Sequence, residues 1–152
     1  MEAEMAEVVD ELNNLLVRER GEVEALKSLV DHLSQTDPDI VSGAEDALET
    51  ARWACSGLYH RINQLDGIVT LDSSDLAERV DNEDDTKRKL EIICRHQRQD
   101  VKAIKSLLKR DDLDEATRDF LEELLNLHQS SENWCRSVLK EWEPDLQIQD
   151  AE

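Results

Sequence analysis

Apolar residues recur along the first part of the chain at alternating steps of four and three. Met5, Val9, Leu12, Leu16, Glu19, Val23, Leu26, Val30 and Leu33 form one stripe, the seam of a helix packed in a left-handed bundle. The stripe predicts a first helix over about 3–35, and Glu19 is its one polar member. Thr36-Asp37-Pro38 breaks the pattern and restarts it, with Asp37 as a cap and Pro38 at the first helical position, where a missing N–H costs nothing. The second stripe is Val41, Ala44, Leu48, Ala51, Cys55, Leu58, Ile62 and Leu65, with Glu45, Arg52 and Tyr59 in a column beside it, and Asp66-Gly67 closes that helix.

A connection over about 66–82 follows, in which Ser73-Ser74-Asp75 starts a short helical turn. The third helix is expected over about 82–110, on Leu90, Ile93, Gln97, Val101, Ile104 and Leu108. Asp111-Asp112 makes the next turn and cap. The fourth helix runs over about 113–142 on Leu113, Phe120, Leu124, Leu127, Ser131, Trp134 and Val138, with Leu121, His128, Cys135 and Trp142 beside them. Pro144 ends it, which gives a bundle domain over 1–143 and an acidic tail over 144–152.

Short outer connections make each flanking helix pair antiparallel. Helices of about 28 residues stand about 42 Å tall, and the middle connection, extended, reaches about 56 Å. It is long enough to cross the whole bundle. The expected fold is therefore an all-α four-helix bundle with a ferritin-like crossover between the second and third long helices, the alternative being a simple up-down-up-down bundle.

Composition narrows the function. The chain has 152 residues, and its net charge of -19 opposes nucleic acid and anionic membranes. Such a surface suits a salt-rich cytosol or a basic partner. No apolar run reaches the ~18 residues of a membrane span, and the acidic start lacks a signal peptide's pattern, so the expectation is a cytoplasmic protein. Cys55, Cys94 and Cys135 are widely spaced, with no CxxC between them, and read as reduced core thiols. No phosphate-cradling glycine loop, nucleophile elbow or HExxH occurs.

Each long helix carries a polar residue near the middle of its buried region: Glu19, Arg52, Gln97, and His128 with Ser131. A charge in a seam is costly unless it is paired or metal-bound. One reading is a structural polar layer in which Arg52 neutralises Glu19 and no metal or cofactor is held. The other is an iron site. Di-metal bundles draw one Glu from each of two helices and a Glu-x-x-His from each of the others, yet no Glu-x-x-His occurs in this chain. The ligands would then be Glu19, Glu49, His128 and Glu132, with Glu45 in place of Glu49 as a variant.

Four short segments also resemble a small, uncharacterised ferritin-like family. Leu12-Asn13-Asn14-Leu15-Leu16-Val17-Arg18-Glu19-Arg20-Gly21 resembles its opening LNxLLxxERxG. Ala51-Arg52-Trp53-Ala54-Cys55 is similar to its EARWC, with Thr50 in place of the Glu and one extra residue before the Cys. Arg95-His96-Gln97 resembles RGQ, and the segment from His128 to Cys135 resembles HExNIxxC with Gln129 in place of the Glu. The resemblance implies the ferritin-like bundle. The two departures remove carboxylates, which favours a non-catalytic interaction or accessory protein, acting through a protein partner or as a homo-oligomer, over an oxidoreductase or metal-handling bundle.

Overall fold

The computed structural model describes residues 3–33 and 38–142. Five helices follow in order: α1 Ala3–Leu33, α2 Pro38–Gln64, α3 Leu76–Asp81, α4 Thr86–Leu108 and α5 Glu115–Glu141. No strand occurs among the described residues, and no helix is long and apolar enough to cross a membrane. The expected Asp37 cap and the 144–152 tail lie outside the described residues.

Helix ends follow local chemistry. α2 stops in a Schellman turn: Asp66 takes the left-handed conformation at φ 59°, Asp66 N–H donates to Asn63 O at 3.0 Å, and Gly67 N–H donates to Ile62 O at 2.9 Å. Gly67 is needed for contact rather than for its φ, because a Cβ there would stand 2.6 Å from Val9 Cγ1 on α1. α4 starts at Thr86, later than the pattern predicts, because the Asp85 carboxylate accepts from Lys87 N–H at 3.1 Å and caps it. α5 is capped by Asp114, which accepts from Thr117 N–H at 3.0 Å. The expected capping aspartate Asp112 instead accepts from Arg110 at 2.7 Å.

Contacts between helices fix the connectivity. Glu7 meets Arg110 at 3.0 Å, Arg18 bonds Asp100 at 2.6 Å, and His32 bonds Thr86 at 2.6 Å, so α1 and α4 are antiparallel neighbours. Gly43 lies against Trp134 and Gly57 against Phe120, which makes α2 and α5 antiparallel. The connection between α2 and α4 climbs alongside α1. Asn13 donates to Ile68 O at 2.9 Å, Ser74 N–H donates to Val17 O at 3.0 Å, and Ser28 bonds Asp81 at 2.5 Å. α2 and α4 therefore run parallel, joined by a crossover of bundle length. This is the ferritin-like arrangement and not the simple up-and-down one.

The core is divided in two. Leu26, Leu29, Leu33, Leu48, Leu90, Ile93 and Cys135 belong to one apolar cluster. Leu12, Leu16, Leu58, Ile62, Ile104, Leu121 and Leu124 belong to the other. Between them, at mid-height, the buried side chains are polar: Glu19, Glu22, Gln97, Asp100 and His128.

Candidate metal centre

α1 brings Glu19 and Glu22 to the same inward face, because residues three apart on a helix are neighbours. Both are buried, with 0% and 1% of their surface exposed. α4 contributes Asp100, and α5 contributes His128, both equally enclosed. One oxygen or nitrogen from each of these four residues lies within 4.8 Å of the others. At about this level the buried side chains of α2 are Leu48, Ala51 and Ala54, none of which can ligate a metal.

Three of the four have partners, and Glu22 has none. His128 Nε2 and Glu19 Oε1 are in direct hydrogen-bonded contact. Arg18 Nε donates to Asp100 Oδ1 at 2.6 Å and Nη2 donates to the His96 carbonyl at 3.0 Å. His96 completes the support. Arg18 Nη2 can only donate, so His96 Nδ1, 3.3 Å away, accepts, and Nε2–H donates to Arg18 O at 3.3 Å. His96 is thus neutral, and burial lowers its pKa accordingly, with the Asp100 charge opposing.

The remaining atoms are buried without partners. They include Glu19 Oε2, both Glu22 oxygens, Asp100 Oδ2, His128 Nδ1 and the Gln97 amide. Buried polar atoms left unpaired are rare and costly. Burial holds the Glu22 carboxyl well above its usual range, reinforced by the charges of Asp100 and Glu19. Burial also raises Glu19, with His128 pulling the other way. Burial alone would lower His128, but the charge and hydrogen bond of Glu19 outweigh it and lift the imidazole to about 9. In the absence of a cation, these shifts favour a proton on the Glu19–His128 pair and another on Glu22.

The sequence-derived layer is only partly assembled here. Glu19, Gln97 and His128 are in it, but Arg52 is exposed on α2. The column Glu45, Arg52, Tyr59 lies on the solvent side of the α2 seam, whereas Ala47 and Ala54 flank it on the buried side. The guanidinium that meets the layer's carboxylates is Arg18. Ser131 is buried, but it lines a cleft with Gly43, Asp46 and Trp134 between α2 and α5. Of the alternative ligands, Glu49 and Glu45 are exposed. Glu132 is turned to Arg98 at 3.4 Å and Arg136 at 2.5 Å. Glu22, Asp100, Arg18 and His96 escaped the sequence reading. The signals were the Glu19-x-x-Glu22 and His96-x-x-x-Asp100 spacings, each of which puts both members on one helix face.

No curated protein and no solved structure matches the chain. A family model does match it over residues 49–143, more than half of its length, and that model describes a ferritin-like domain. The matched stretch holds Asp100 and His128, and α1, with Glu19 and Glu22, precedes it.

Proposed function

This chain belongs to the ferritin-like domain family, and on that premise we propose that it binds one divalent transition-metal ion, iron or manganese, through Glu19, Glu22, Asp100 and His128. The observation that carries this reading is the cluster of buried ligand atoms within 4.8 Å that keep unpaired lone pairs. Three carboxylates and one imidazole are an oxygen-rich donor set with a single nitrogen, which suits Fe(II) or Mn(II) better than soft-ligand metals. A two-metal centre does not fit. Family members of that kind draw ligands from all four helices, while α2 offers Leu48, Ala51 and Ala54 at about this level.

Iron held in this site would supply one-electron redox chemistry. The chain's own residues do the rest. Arg18 fixes Asp100 and, through His96, ties α1 to α4. Gln97 lies buried beside Glu22 with its amide unpaired, and it lowers the pKa of that carboxyl against the rise from burial. The two apolar clusters above and below keep bulk water out, which strengthens every charge interaction inside.

The second reading is a polar layer complete without metal, in an interaction or accessory protein. The Arg18–Asp100 and Glu19–His128 pairs favour it. It leaves Glu22 without a role, since neither of its oxygens has a partner. Elemental analysis of chelator-stripped protein reloaded with Fe(II) or Mn(II) separates the two. The metal site gives one ion per chain, and Glu22→Gln weakens affinity beyond the ~10–100-fold expected from losing a mere supporting residue, with the helical circular dichroism unchanged. Failure of the wild type to retain any ion leaves the structural layer, and two ions per chain would refute the single site.

A further inference from the structure

Up the α4–α5 seam from the carboxylate cluster, two thiols face each other. Cys94 on α4 and Cys135 on α5 are both buried in the same apolar cluster and both reduced, and each thiol perturbs the ionisation of the other. Cys135 also reaches Leu90 O at 3.5 Å. The two sulfurs have different surroundings. Cys135 is fully enclosed and near the carboxylates of Glu22 and Glu132. Cys94 lines a surface cleft together with Glu91, Arg95, Arg98 and Leu139, with room for several water-sized molecules. Arg98 and Arg136 add positive charge there, against the negative charge of Glu132. The thiolate therefore belongs on Cys94, at the cleft, which the neighbouring Cys135 thiol brings down to about 7 against the opposition of burial, while Cys135 keeps its proton. Cys55, on another face of the bundle, is pushed up to about 12 by burial and by Glu19.

We propose that Cys94 and Cys135 form a peroxide-reactive dithiol, in which hydrogen peroxide entering the cleft oxidises Cys94 and Cys135 closes a disulfide that ties α4 to α5. In the first step the Cys94 sulfur attacks one peroxide oxygen. The S–O bond forms as the O–O bond breaks, and the departing hydroxide takes up from solvent the proton that Cys94 released on ionising and leaves as water. In the second step the Cys135 sulfur attacks the Cys94 sulfenic acid. The S–S bond forms, the S–O bond breaks, and hydroxide leaves with the Cys135 proton as a second water. In sum, two thiols are oxidised and one peroxide is reduced to two waters. Cys135 Sγ already reaches Leu90 O, one turn before Cys94 on α4, so closure to the ~2.05 Å of a disulfide calls for side-chain adjustment across one helix seam.

The test uses the full chain stripped of metal, so that its outcome is independent of the carboxylate site. One equivalent of hydrogen peroxide should lower the intact mass by two hydrogens, about 2 Da. Peptide mapping should then recover Cys94 linked to Cys135, with Cys55 still alkylated. In Cys135→Ser the sulfenic acid should persist on Cys94 and be captured by a cyclic 1,3-diketone, and in Cys94→Ser no capture should occur. Oxidation confined to Cys55, a disulfide between chains, two added oxygens on Cys94 with Cys135 still free, or no reaction at all would each overturn the proposal.

Discussion

Arg18 and Arg52 carry the same guanidinium, and burial separates their roles. The Arg18 side chain is 27% exposed and bonds a fully buried Asp100 at 2.6 Å. Arg52 stands in solvent on the outer side of α2. In metal-free protein, Arg18→Ala should cost ~3 kcal/mol or more, since it strands a buried carboxylate. Arg52→Ala should stay within ~0.5 kcal/mol. Urea unfolding of both variants checks the contrast, and a large loss from Arg52→Ala alone would reverse the assignment. Glu19 was legible in the sequence because it interrupts an apolar stripe. Asp100 was not, because it sits beside the stripe Gln97–Val101–Ile104 and looks like one of many surface acids. Only a neighbouring helix turns that flank into an interior.

Among the elements, the crossover depends on one position in the middle of α1. Gly21 is buried, and a Cβ there would stand 1.8 Å from Ser74 Oγ and 2.9 Å from Ser74 Cβ. The close approach lets Ser74 N–H donate to Val17 O at 3.0 Å, and Arg20 donates nearby to the carbonyls of Thr70 and Asp72. Alanine normally stabilises a helix interior relative to glycine. Here Gly21→Ala should instead destabilise by roughly 1–3 kcal/mol through overpacking, read as a lower thermal midpoint. The four long helices and the length of their connection followed from hydrophobic spacing, as did the position of α3 to within a few residues. The inward columns were less well read. On α5 the pattern favours Phe120, Leu127 and Trp134, yet Leu121, His128 and Cys135 are the more deeply buried. Two adjacent columns of similar hydrophobicity cannot be ranked until the neighbouring helices are in place.

Across the molecule, the charge of the carboxylate cluster in the absence of metal is offset by Arg18, and the raised pKa values favour two protons there, one on the Glu19–His128 pair and one on Glu22. A divalent cation on the proposed ligands replaces those two protons, because bound imidazole is neutral and bound carboxylate is ionised. Metal uptake should therefore release about two protons per ion, and affinity should rise by up to ~100-fold per pH unit while both are held. Calorimetry in buffers of different ionisation enthalpy counts the protons. The sign for metal-free stability is opposite. His128 has a folded pKa of about 9 against 6.5, so its contribution is complete below about 6.5 and is lost as the pH rises through about 9. The raised Glu19 and Glu22 act in the same direction.

The spacing of leucines and valines by itself determined four amphipathic helices and a connection long enough to cross them, because periodicity and chain length are local properties. Which side chains meet at the centre was decided only by tertiary structure. The antiparallel packing of α1 on α4 brings Arg18 to Asp100 and sets Glu22 beside it, and the outward turn of one α2 column leaves Arg52 in water. The cost of burying a charge depends on what surrounds it in space, and that is fixed only when residues distant in sequence have been brought together.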